Sequence, residues 1–294
     1  MIIETKALTK RFRSRIAVSD LDLAVPESGI SAFLGPNGSG KTTTIRMLLG
    51  LARPTSGSAS ILNSSISDDA GLAAARRRIG YIGEDKRLYG YMAAGELLAF
   101  MRSIYPSWRD DRERRLCKKF NIPLDQKCKA LSKGMRTKLA MVLALSRQLE
   151  LLILDEPSEG LDPVATEQLL ESIIEVAADG GSVFFSTHQL SDVERIADRM
   201  FIMHSGRLVL QSSMEDVREN YRRIHAAFPC RPPIEHMTMV GVSNVRVEDH
   251  VMSLIATQNV DTILERARAL GAISVQARSI GVRELFLECV KGES

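Results

Sequence analysis

The sequence predicts a large α/β domain with a small α+β appendage behind it. Three observations carry this. Short apolar runs, "GISAFLG", "LELLILDEP" and "SVFFSTH", alternate with stretches of helical periodicity, and each run ends in glycine or polar residues. The first run leads straight into a glycine-rich loop, "GPNGSGKT" at 35–42, with a helix behind it. Beyond about residue 220 the pattern changes to strand, helix and strand without such a loop. In a fold of buried parallel strands, ligands collect at the strands' carboxyl ends.

The elements follow in chain order. "IIETKALTKRF" and "IAVSDLDLAV" alternate apolar and polar positions, as half-buried strands do. "KTTTIRMLLGLA" is a helix that stops before Pro54. Residues 88–135 are expected to be helical and charged, with "RDDRERRLCKK" as a solvated helix face. "PVATEQLLESIIEVAADGG" is a helix closed by glycines, and "SVFFSTH" a buried strand ending on a histidine. The stretch "SSMEDVRENYRRIHAAFPCRPP", 212–233, is expected to be a helix and then a proline-broken connection. "MTMVGVSNVRVEDHVMSLIAT" reads as strands, "VDTILERARALG" as a capped helix and "ISVQARS" as a further strand. The expected boundaries are one domain over 1–215 and an accessory domain over 220–294.

Composition narrows the function. At 294 residues, 45% hydrophobic and 26% charged, the chain has the make-up of a soluble globular protein. A net charge of +3 gives no basic field for nucleic acid, and acidic and basic residues nearly balance beyond 220. The start, "MIIETKALTKRF", lacks the apolar core of a signal peptide. No uncharged apolar run approaches the ~20 residues that span a bilayer, so any membrane role is expected from outside the lipid. Cys117, Cys128, Cys230 and Cys289 are widely spaced, without a C-x-x-C pair, and are expected to be reduced thiols.

Three motifs carry chemistry. Gly35, Gly40, Lys41 and Thr42 match G-x-x-x-x-G-K-[ST] in full, with Pro36, Asn37, Gly38, Ser39 and Thr43 completing the loop. Its N–H groups would cradle phosphates, Lys41 would reach the β/γ oxygens, and the Thr42 hydroxyl would ligate Mg²⁺. Asp155 and Glu156 end the run "LLIL", where one acid can hold Mg²⁺ and its neighbour can polarise a water. His188 is either a core-edge histidine or a group within reach of a γ-phosphate. In "ALSKGMRTKLA", 130–140, Ser132 and Gly134 open a basic helix, which outlines a second anion site.

Taken together, these motifs resemble the nucleotide-binding subunit of ATP-binding cassette (ABC) transporters over about residues 1–210. The resemblance implies a mixed sheet core, an antiparallel β subdomain and a helical subdomain over 88–135 that docks on a transmembrane subunit. It implies ATP with Mg²⁺, and two cassettes packed head to tail around two ATP molecules, as a homodimer or with a similar subunit. "LSKGM" then stands for the family's L-S-G-G-Q, departing at Lys133 and Met135, and Ser132 and Gly134 would contact the partner's ATP. Asp162, ending "SEGLD", would cross to the partner. Glu156 would be the catalytic base and His188 the γ-phosphate switch. Phe12 in "LTKRF" matches the aromatic that stacks on adenine, the alternative being a buried strand-end residue. Glu84 in "IGYIGED" replaces a glutamine that contacts Mg²⁺ and the attacking water.

"LSKGM" and "IYPSW" look most like cassettes paired with exporter-type permeases, which implies a separately encoded permease and a place on the cytoplasmic face of the membrane. The rival is a soluble cassette ATPase acting on ribosomes or DNA. Such relatives usually carry two cassettes or long coiled coils, and this chain has one cassette and no heptad arm. A P-loop kinase or GTPase would lack the serine-glycine signature. The accessory domain is expected to regulate or to stabilise the dimer.

Overall fold

The computed structural model describes residues 1–86, 88–237 and 239–291. Thr238, near the start of a stretch expected to hold strands, and residues 292–294 of the expected accessory domain lie outside them. The chain divides into two compact units, Met1–Leu210 and Gln211–Ser294.

The first unit opens with β1 (Ile3–Phe12), β2 (Arg15–Leu21) and β3 (Ala24–Val25). Ile3, Thr5 and Leu8 of β1 are buried while Glu4, Lys6 and Ala7 between them are half-buried or exposed, the pattern of a sheet with one wet face. With β5 (Ser56–Ile61) and β6 (Ser64–Ser65) these strands form an antiparallel sheet, ordered β2-β1-β5-β6, with β3 on β1.

The second sheet positions the site. It holds β4 (Gly29–Leu34), β7 (Ile79–Ile82), β8 (Leu151–Asp155), β9 (Ser182–Thr187), β10 (Arg199–His204) and β11 (Arg207–Ser213). Their order is β11-β10-β4-β9-β8-β7, and the strands from β10 to β7 run parallel. Every residue of β8 and β9 is buried, because helices cover a parallel sheet on both faces. Phe33, Phe184 and Phe201, from three adjacent strands, pack with ring centroids 5.3 and 6.5 Å apart at the centre of the core.

The helices of this unit are α1 (Lys41–Leu48), α2 (Asp69–Arg76), α3 (Ala94–Ile104), α4 (Asp110–Lys119), α5 (Lys133–Leu145), α6 (Pro163–Ala178) and α7 (Leu190–Ile196). Residues 88–135 are not continuously helical. Between α4 and α5 the chain makes a 3₁₀ turn at Cys128–Ala130, and Cys128 and Lys129 donate N–H bonds back to Met92 and Gly90. Among the described residues no helix is long and apolar enough to cross a membrane.

The second unit holds α8 (Met214–Asn220), β12 (Arg222–Ala227), β13 (Val242–Glu248), β14 (Val251–Ala256), α9 (Val260–Ala269), β15 (Ser274–Ser279) and α10 (Val282–Lys291). The stretch expected to be a helix after 212 is one only as far as Asn220, and "RRIHAA" is then an inner strand. Ile224 and Ala226 are buried while the other residues of the strand are half-buried, and β14 and β15 flank it. The order β13-β14-β12-β15, antiparallel throughout, is that of a split β-α-β fold with a 3₁₀ turn (Ile234–Met237) where the first helix would stand. Its core is Ile224, Phe228, Met237, Met252, Leu254 and Ile263 with their neighbours.

Candidate functional site

The site lies where β4, β8 and β9 end. The loop 35–42 leaves β4 and turns into α1 through Gly40, whose φ of 114° is a left-handed conformation that glycine adopts without strain. A Cβ there would meet the Ala17 carbonyl at 2.5 Å, and one at Gly35 would meet the Met203 carbonyl at 2.4 Å. Asn37 and Gly38 are exposed at the loop's tip, Pro36, Thr42 and Thr43 are half-buried, and Ser39 is buried. Ser39 donates its N–H to Pro36. The result is a tight turn of backbone N–H groups at a helix N-terminus, the geometry that binds phosphate.

Lys41 bends back over this loop. Its Nζ donates to the Gly35 carbonyl at 2.7 Å and pairs with Glu156 Oε1 at 3.1 Å, both side chains being buried. Glu156 Oε2 in turn meets His188 Nδ1 at 2.8 Å, and the His188 N–H points at the same oxygen, 3.3 Å away. Five expected residues therefore converge: Lys41, Thr42, Asp155, Glu156 and His188.

Asp155 is fully buried at the end of β8. Its Oδ1 accepts from Thr42 Oγ1 at 3.1 Å and from Ser186 Oγ at 2.6 Å, while among the described residues its buried Oδ2 has no partner. Burial pushes the Asp155 carboxyl above its ordinary range, against the two hydroxyl bonds that favour the charged form. A carboxylate with one buried oxygen free, beside the loop's threonine hydroxyl, fits a divalent cation. Among the described residues no three His, Cys, Asp or Glu side chains form a group that could hold a metal ion.

Two residues that sequence reasoning missed hold Glu156. Ser186 lies opposite Asp155 in the register of β8 and β9, and its Oγ and carbonyl both face the Glu156 N–H, at 3.1 and 3.2 Å. Its one signal in the sequence is a hydroxyl directly after the apolar run Val183–Phe185, near the end of the strand. Lys86, beyond β7, is buried and donates its Nζ to the Glu156 carbonyl at 3.1 Å. Burial lowers its ammonium pKa, and Lys133 nearby lowers it further.

The remaining expected residues lie around this centre. Phe12 is 51% exposed with Lys10 Nζ 4.9 Å from its ring, so it is not a buried strand-end residue. Its hairpin partner Arg15 reaches the Gly38 carbonyl at 3.4 Å, which places the pair beside the loop. Glu84 is exposed in the turn after β7. Ser132 caps α5, accepting from the Met135 N–H at 3.2 Å, and Asp162 caps α6, accepting from Ala165 at 2.8 Å. Lys133 pairs with Glu159 at 3.6 Å, and Leu161 lies against Gly134, so "LSKGM" and "SEGLD" are neighbours within one chain. A Cβ at Gly134 would make only an ordinary 3.6 Å contact, so packing within the chain does not require glycine there.

A strand, a phosphate loop and a helix, with acids ending a parallel strand one place beyond its neighbour in the same sheet, define a P-loop nucleotide-binding protein. Residues 18–159 match the ABC transporter family. The bacitracin transport ATP-binding protein BcrA of Bacillus licheniformis is 35% identical over 227 residues, 76% of this chain and 73% of that one. An uncharacterized ABC transporter ATP-binding protein of Synechocystis sp. is 32% identical over 233 residues, 74% of this chain and 65% of its own length. Among solved structures, an ATP-binding subunit of an ABC transporter superposes with a TM-score of 0.67 at 32% identity, covering 74% of this chain and 92% of that one. The chain belongs to the ABC transporter ATP-binding family.

Proposed function

We propose that this chain hydrolyses ATP at the interface of a two-cassette dimer and thereby drives a separately encoded permease, of exporter type, from the cytoplasmic face of the membrane. The observation that carries this is the row Lys41–Glu156–His188 beside Thr42 and Asp155. Glu156 is the base that accepts the proton of the attacking water. Lys41 exchanges its bonds to Gly35 and Glu156 for the β/γ oxygens, which releases Glu156 Oε1 towards the water. His188 orients Glu156 through Oε2 and meets the γ-phosphate. Thr42 and Asp155, with Glu84 from the facing loop, would hold Mg²⁺, which when bound offsets the charge of the phosphates. Ser132, Gly134 and Asp162 complete the partner's site. The freedom around Gly134 supports this, since glycine then answers to an approaching phosphate rather than to its own fold.

Phe12 stacks on the adenine. Phe12→Ala is expected to raise KM for ATP about ten-fold with little change in kcat, because stacking worth ~1–3 kcal/mol serves ground and transition states equally. Steady-state kinetics check it, and an unchanged KM would remove Phe12 from the site.

The permease docks on a groove of about 730 Å³ whose lining includes Leu49, Tyr81, Met101, Tyr105 and Leu143. Nearby, the exposed aromatics Tyr89, Tyr91 and Phe100 pack with centroids 6.0–6.1 Å apart. Likeness to a bacitracin transport protein supports the coupling to transport. A tagged chain drawn from detergent-solubilised membranes is expected to bring an integral membrane protein with it. Recovery of ribosomes or DNA in its place would overturn the transport role.

A further inference from the structure

We infer that Lys86 is a positioning residue for hydrolysis, holding the catalytic carboxylate through the backbone of Glu156; this rests on Glu156 being the base. Glu156 has a φ of 48°, in the left-handed region where a non-glycine residue is strained. Such a conformation persists only where the surroundings impose it. Its N–H is held by Ser186 from β9, and its carbonyl receives the Lys86 ammonium at 3.1 Å. The two contacts grip the peptide units on either side of one Cα, so they set where the Glu156 side chain leaves the chain. Without the second, the unit is free to relax towards ordinary φ, which would swing the carboxylate away from Lys41 and His188.

Lys86 is itself built into place. It has a φ of 43°, its N–H closes a turn on the Gly83 carbonyl at 3.2 Å, and its residue is 5% exposed. An apolar side chain would fill this position without the desolvation that a buried ammonium carries. The ammonium lies in the field of Glu84, Asp155 and Glu159, so it also offsets negative charge gathered around the site. Lys86 lines the same groove as Tyr81 and Met101, which makes it a direct physical link from that surface to Glu156.

The test compares Lys86→Met, Lys86→Arg and Glu156→Gln in the full chain. Removing a charged donor from one carbonyl should lower kcat for Lys86→Met about ten-fold or more, with KM within two-fold of wild type. Binding of a non-hydrolysable ATP analogue should be unchanged, and Lys86→Arg, which keeps a donor, should recover most of the rate. Combined with Glu156→Gln, Lys86→Met should cost nothing further, since both act on one group. An unchanged kcat, loss of analogue binding, a variant that does not fold, or a full additional loss in the Glu156→Gln background would each overturn the positioning role. A fully active Glu156→Gln chain would instead overturn the proposed function on which it rests.

Discussion

Glu156→Gln is expected to cut ATP turnover by about 10²–10⁴-fold, the usual cost of losing a general base, while ATP binding survives. The amide occupies the same space at the end of β8 and still faces His188 Nδ1, so the row of contacts keeps its shape. It cannot accept a proton from water. In the proposed mechanism phosphate binding rests on the loop 35–42 and Lys41, which the substitution leaves in place; losing the carboxylate even frees Lys41 from its 3.1 Å ion pair. With binding intact and hydrolysis blocked, ATP should trap the dimer. A phosphate-release assay and a sizing column with and without ATP check both halves. Turnover at the wild-type rate would remove Glu156 from the catalytic role.

How far this site was legible in the sequence depended on whether a residue's role lies in its own motif or in a neighbour brought in by the fold. The loop 35–42 was legible because glycines at fixed spacing answer to backbone needs that a sequence shows: the left-handed turn at Gly40 and the crowding at Gly35. Asp155 and Glu156 were legible because two acids closing a fully apolar run must have a reason to be there. Lys86 was not, since Glu156 is 70 residues away along the chain and only the parallel pairing of β7 with β8 brings them together. Ser186 shows the same limit: its hydroxyl matters because the register of β8 and β9 sets it opposite Asp155.

The fold divides in the same way. The buried parallel strands stand out by composition, whereas nothing in the sequence separates β12 from the helix before it, because "RRIHAA" carries only two core positions and follows a helical "MEDVREN". Its identity as a strand comes from β14 and β15 on either side, which is tertiary information. The glutamate at residue 84 and the lysine at 133 were visible as departures from the family, yet their surroundings were not. Lys133 turns out to face Glu159 across the gap between "LSKGM" and "SEGLD".

Mixing two inactive variants is expected to restore ATPase activity. Lys41→Ala destroys a chain's own phosphate loop, and Ser132→Arg fills its signature stretch with a bulky side chain. Each homodimer should be dead, because both of its sites contain a damaged half. In a mixed dimer one site combines both lesions, while the other joins the intact loop of the Ser132→Arg chain to the intact signature of the Lys41→Ala chain. Random exchange makes about half the dimers mixed, so about a quarter of all sites are whole. Ser132 also caps α5 through the Met135 N–H, and losing such a cap costs ~1 kcal/mol, too little to unfold a domain of this size. The inactivity of that homodimer would therefore come from the site rather than the fold, which circular dichroism on the variant checks. Should Ser132 serve the phosphate loop of its own chain, every site in the mixture carries a lesion and no activity returns. A mixture that stays dead while differently tagged chains are shown to exchange would rule out the shared site.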